Sequence, residues 1–137
     1  NQKIFIHSEI DGFSLQKEQE YLSWLSKICA HYQLEPECIN YIFSDDEYLL
    51  NINKEYLQHD FYTDIITFPV SKDPLCVDIF ISIERVKDNA LTLKIEEAQE
   101  LKRVMAHGLI HIAGYKDKTE EESKEMREQE ELAIALF

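Results

Sequence analysis

A chain of 137 residues, 45% of them hydrophobic, can bury one core and is close to the commonest domain size, so a single domain over residues 1–137 is expected. No apolar run approaches the roughly 18 residues that cross a bilayer, and no basic-then-apolar leader opens the chain, which favours a soluble, unexported, cytoplasmic protein without a membrane partner. The formal net charge of −13, from 14 basic and 27 acidic residues, argues against a protein that grips nucleic acid through its phosphates alone.

In chain order, "KIFIH" (3–7) alternates and is rich in β-formers, which predicts a strand. Leu22, Leu25, Ile28, Cys29 and Tyr32 recur at helical spacing and predict a first helix over roughly 14–33. After Pro36, "CINYIFS" (38–44) predicts a second strand. Ser44 with Glu47 has capping-box spacing and predicts a short helix through about Tyr56. "TDIITFP" and "VDIFISI" predict two more strands, consecutive and able to pair as a hairpin, and "ERVKDNAL" a short helix after them. Ile95, Ala98, Leu101, Met105, Leu109 and Ile112 predict the longest helix, about 95–113, ended by Gly114. Thr119 with Glu122 is a second capping-box pattern, opening a strongly acidic last helix. The sum is an α/β (α+β) domain: a small mixed sheet of about four strands packed with about five helices. Cys29, Cys38 and Cys76 are odd in number, widely spaced and form no C-x-x-C pair, which favours reduced core residues over disulfides or a thiolate metal site.

The stretch "HGLIHIAGYKDK" (107–118) carries the chemistry. At about 100° per residue, His107 and His111 leave the same helix face one turn apart and can reach one ion. Glu96, Glu100 and Arg103 fall near that sector, while Leu101, Met105, Leu109 and Ile112 lie opposite. Gly114 suits a break after which the chain returns Asp117 towards the pair. Two imidazoles and a carboxylate leave a coordination position open, as in a catalytic zinc site, where zinc brings the pKa of water to about 7. The plainer alternative is a packed or solvated histidine pair followed by a charged exposed turn. Residue 108 is Gly, so the general base of an H-E-x-x-H zinc peptidase is missing; a metallopeptidase-like hydrolase remains an alternative whose base comes from elsewhere.

These residues resemble the YbeY family of bacterial endoribonucleases and ribosomal RNA maturation factors. "HGLIHIAGYKDK" is similar to the family signature H-G-x-L-H-L-x-G-Y-D-H, "LNINKEYLQHDFYTDIITFP" (50–69) to its N-x-x-Y segment leading into T-D-V-L-S-F-P, and "DIFISIERVKDNA" (78–90) to its G-D-I-x-I-S segment. The resemblance implies that His107, His111 and Asp117 hold one Zn2+, with Asp117 where the family has a third histidine. Leu57 stands where the family has Arg, removing a guanidinium suited to phosphate, so Lys54, His59 or Lys116 takes over or RNA contact weakens. It also places Thr63 and Asp64 beside the metal cleft, where ordinary strand-start polarity is the plainer reading, and gives His59 a possible substrate contact. The implied activity is zinc-dependent, single-strand-specific endoribonuclease cleavage in small-subunit ribosomal RNA maturation and ribosome quality control, with ribosomal RNA and the small subunit or its proteins as partners. A noncatalytic, metal-stabilised ribosome assembly factor is the other alternative.

Overall fold

The computed structural model describes residues 2–58 and 62–137. The elements follow the predicted order: β1 (Ile4–Ser8), α1 (Glu18–His31), β2 (Pro36–Ser44), α2 (Asp46–Ile52) running into a π-helical turn (Asn53–Leu57), β3 (Ile65–Lys72), β4 (Leu75–Ser82), α3 (Ile83–Leu93), α4 (Glu97–Ile112) and α5 (Glu120–Ala135). Strands β1, β2 and β4 run parallel and β3 pairs antiparallel with β4, giving the spatial order β1-β2-β4-β3. The third and fourth strands form the expected hairpin, which makes β3 an edge strand.

Alternation along the strands sends Ile39, Tyr41 and Phe43 of β2 and Val77, Ile79 and Ile81 of β4 to one face, where they meet Trp24, Leu25 and Ile28 of α1 and Val104, Met105 and Leu109 of α4 in a single buried cluster. Burying each large side chain of this kind contributes about 1.5–3 kcal/mol, enough for the cluster to fix α4 on the sheet. Two polar links set its position further. The buried Tyr41 hydroxyl donates to the Met105 carbonyl at 2.8 Å, two residues before His107, and the Trp24 indole donates to the Ala133 carbonyl of α5 at 2.8 Å. On the opposite face of β4, Phe80 lies 6.1 Å from Tyr48 of α2.

Three sequence expectations are corrected. Asp45, not Ser44, caps α2: its carboxylate accepts the Tyr48 amide at 2.9 Å. Ser44 is the last residue of β2, held in register with Ser82, so its backbone belongs to the ladder and its buried hydroxyl has no partner among the described residues. Helix α1 starts at Glu18 rather than near 14, because Lys17 sits in the left-handed region at φ 57° and interrupts the helical path. All three cysteines are free, but only Cys29 is buried; Cys38 and Cys76 alternate onto the outer face of the sheet and are half-buried.

Gly108 shows how closely α4 approaches the sheet. A Cβ there would stand 3.1 Å from Ile65 Cδ1 and 3.3 Å from both Cδ1 and Cγ2 of Ile79. The fully buried Ile79 cannot move its branched methyl without shifting its neighbours. Overpacking costs of about 1–3 kcal/mol therefore outweigh the roughly 1 kcal/mol that Ala gains over Gly in a helix, and Gly108→Ala should lower stability by about 1 kcal/mol in denaturant unfolding. The same direction bears on chemistry: residue 108 faces the strands, so no side chain there could serve a reaction on the histidine face.

Candidate active site

The site is built on α4. Glu100, Arg103, His107 and His111 recur at three- and four-residue spacing, while Leu101, Val104, Met105, Leu109 and Ile110 are buried. The two imidazole rings lie nearly parallel, 6° apart in plane and 6.3 Å between centroids. Each is anchored through Nδ1: His107 to the Glu130 carboxylate at 2.7 Å, His111 to the Tyr115 carbonyl at 3.0 Å. Anchoring at Nδ1 leaves Nε2 as the ligand-capable nitrogen of both rings.

Beyond the helix, Gly114 adopts φ +113°, a conformation that L side chains rarely take, and donates to the His111 carbonyl at 3.0 Å. The turn returns the chain, and the start of α5 holds it. Thr119 and Glu122 form the expected capping box, with Ser123 donating to the Asp117 carbonyl at 2.9 Å. Asp117 Oδ2 thereby reaches 3.3 Å from His107 Nε2. Among the described residues no group of three or more His, Cys, Asp or Glu stands at metal-holding distances, and Asp117 pairs directly with the first imidazole.

These groups face a cleft of about 450 Å³. Arg103, Val104, His107 and His111 form one wall, Thr63, Asp64, Ile65 and Thr67 at the β3 edge the other, and Asp117 and Lys118 the rim. The structure thus brings together His107, His111, Asp117, Thr63 and Asp64; His59 lies outside the described residues. Thr63 donates its hydroxyl to the Ile65 carbonyl at 3.2 Å. Asp64 lies 3.5 Å from Arg103 Nη2 and accepts from the Asn89 amide at 3.4 Å.

Burial raises the Asp64 carboxyl above its ordinary range, against the opposing pull of Arg103 and His107. For His107, burial alone would lower the imidazole, but the Glu130 hydrogen bond and the charges of Glu130, Asp117 and Asp64 outweigh it and lift the value. The Asp64 shift has a sign that can be checked. A folded-state value above the unfolded one favours folding while the group is protonated, and that contribution is lost as pH rises through the folded value. Asp64 therefore costs stability near neutrality, and Asp64→Asn should raise the unfolding midpoint at pH 7. The gain should vanish below the ordinary carboxylate pKa of about 3.9.

Sequence reading missed Glu130. It lies in the acidic last helix, which reads as a solvated face, yet it is 4% exposed and aligned with buried Met126 and Ala133. That spacing, a carboxylate inside an otherwise apolar stripe, was the available signal. Glu130 also approaches Arg103 at 3.5 Å, and Arg103 holds fully buried Glu100 through two 2.7 Å bonds.

A family model described as Endoribonuclease YbeY matches residues 6–137. The Endoribonuclease YbeY of Flavobacterium johnsoniae is 48% identical over 126 residues, 91% of this chain and 91% of that protein. That of Cytophaga hutchinsonii is 46% identical over 135 residues, 97% of this chain and 94% of that protein. Among solved structures, the solution structure of TM1509 from Thermotoga maritima superposes with a TM-score of 0.69 at 27% identity, covering 97% of this chain and 87% of that one.

Proposed function

Because the chain belongs to the Endoribonuclease YbeY family, we propose that it is a zinc-dependent, single-strand-specific endoribonuclease of the cytoplasm, acting in small-subunit ribosomal RNA maturation and ribosome quality control. The observation that carries the metal assignment is the shared Nδ1 anchoring of His107 and His111 on one cleft wall, with Asp117 returned to the same place. Two imidazole nitrogens and a carboxylate are a donor set that suits zinc and leaves a position open. When bound, zinc supplies Lewis-acid stabilisation of phosphoryl charge and brings the pKa of water to about 7.

The chain's own residues do the rest. Asp64, a carboxyl of raised pKa on the facing wall, is placed to take a proton from the attacking nucleophile. Thr63 and Thr67 line the same wall and offer hydroxyl oxygens to the substrate.

The acidic balance sets how substrate is reached. Among the described residues the Lys and Arg side chains lining the cleft are Arg103 and Lys118, and Arg103 is already engaged by Glu100, Glu130 and Asp64. Leu57, at the end of the π-helical turn, brings no charge. Free RNA is therefore held weakly, and docking on the small ribosomal subunit or its proteins delivers the enzyme. A peptidase is not favoured, since Gly108 packs against Ile65 and Ile79 and no base can come from that position.

The test incubates the purified protein with ribosomal RNA and with a protein substrate, with and without chelator. Cleavage of single-stranded RNA that chelator stops and added zinc restores supports the reading. Proteolysis, or loss of fold on chelation without any hydrolysis, would overturn it. End-group analysis then separates attack by water from attack by the ribose hydroxyl, which leaves a cyclic or 3′ phosphate.

A further inference from the structure

We propose that Glu130 is a positioning residue for His107, fixing which of its ring nitrogens faces the cleft, and that Arg103 in turn holds Glu130 in place. This rests on the reading of His107 as a metal ligand. A carboxylate accepts hydrogen bonds and cannot donate them, so Glu130 Oε2 at 2.7 Å from Nδ1 requires a proton on that nitrogen. In the neutral ring the lone pair is then on Nε2, the nitrogen on the cleft side. His111 reaches the same tautomer by another route, through the Tyr115 carbonyl at the end of its own helix. For His107 the partner is supplied by a different helix, 23 residues further along the chain.

Two observations separate this role from incidental contact. Glu130 is 4% exposed in a helix whose other acidic residues are exposed or, at Glu122, half-buried, and an ionised carboxylate is costly to bury unless it is paired. Its pairing is shared: both carboxylate oxygens stand 3.5 Å from Arg103 Nη1, and one also takes the imidazole proton. Arg103 is itself fixed by two bonds to Glu100, so the order Glu100, Arg103, Glu130, His107 is a continuous chain of hydrogen bonds ending at the cleft.

The test uses Glu130→Gln, which keeps the shape and removes the obligate acceptor, and Glu130→Asp, which keeps the charge for Arg103 and withdraws it from His107. Nitrogen-15 shifts of the His107 ring are read on metal-free protein, at a pH where the imidazole is neutral. Zinc affinity is read by competition with a chromogenic chelator. Wild type should carry the proton on Nδ1. Both variants should lose that preference and bind zinc about 10–100-fold more weakly, and Glu130→Asp decides the matter if Glu130→Gln does not fold. Retention of the Nδ1 proton, or of wild-type zinc affinity, in a folded variant overturns the proposal. The two readings fail separately: a wild type that binds zinc with Nδ1 protonated but cleaves no RNA sinks the nuclease assignment alone, whereas chelator-sensitive cleavage with variants unchanged in tautomer and affinity sinks only the role of Glu130.

Discussion

Arg103→Met is expected to lower the unfolding free energy by about 3–5 kcal/mol at neutral pH, the range found when one partner of a buried ion pair is removed. Methionine keeps most of the stem's packing, so the loss reports the charge rather than a cavity. Arg103 bonds Glu100 through both Nε and Nη2 at 2.7 Å, and Glu100 has no exposed surface from which to recruit water. Glu130 and Asp64 each lie 3.5 Å from the same guanidinium. Without it, Glu100, Glu130 and Asp64 share one half-buried region, with the His107 imidazole bonded to Glu130 and Arg127 lining a neighbouring cavity. Lysine at this position keeps the charge but not the planar fork, so Arg103→Lys should recover only part of the loss. Adding Glu100→Gln to Arg103→Met should restore stability beyond additivity, because the group left uncompensated is then neutral. Chemical denaturation of wild type, Arg103→Met, Glu100→Gln and the double variant closes the cycle. A loss under about 1 kcal/mol for Arg103→Met would show that the carboxylates find other partners. Acid should shrink the deficit, since protonation removes the repelling charges.

Much of this centre was legible in the sequence because it lies on one helix. Positions 100, 103, 107 and 111 share a sector by arithmetic alone, and Gly114 marks where the helix must break. The capping box at Thr119 and Glu122 is equally local, and it appears as expected. What stayed hidden depends on distant packing. Glu130 reads as one more solvated acid until α5 is laid on α4, and nothing local distinguishes it from exposed Glu128 or Glu131 except its phase with Met126 and Ala133. Asp64 reads as strand-start polarity; its burial comes from the edge position of β3 against α4, which follows from strand order rather than from residue type. The cap of α2 was misplaced by one residue for a similar reason. Ser44 has the right chemistry, but its register with Ser82 takes it into the sheet and leaves Asp45 as the first residue free to cap.

His111→Ala should reduce RNA cleavage by more than about 10²-fold while leaving the fold intact. The lower bound follows from the 10–100-fold cost of losing an outer partner of a metal ligand, since loss of the ligand itself must exceed that. The stability half of the expectation follows from position. His111 is exposed on the last turn of α4, its side chain bonds a backbone carbonyl, and alanine is the better helix former. The unfolding midpoint should therefore correspond to a change within about 0.5 kcal/mol. His107→Ala is the informative contrast, because it also takes away the proton donor of buried Glu130 and so should lose stability along with activity. Zinc content of the purified variants, cleavage rate and unfolding midpoint together discriminate the cases. If His111→Ala retains wild-type cleavage, the contaminating activity is not this chain's, or the reaction does not pass through the α4 histidines; if it unfolds, the imidazole is a structural support and the cleft's chemistry must be sought at Asp64 and its facing wall.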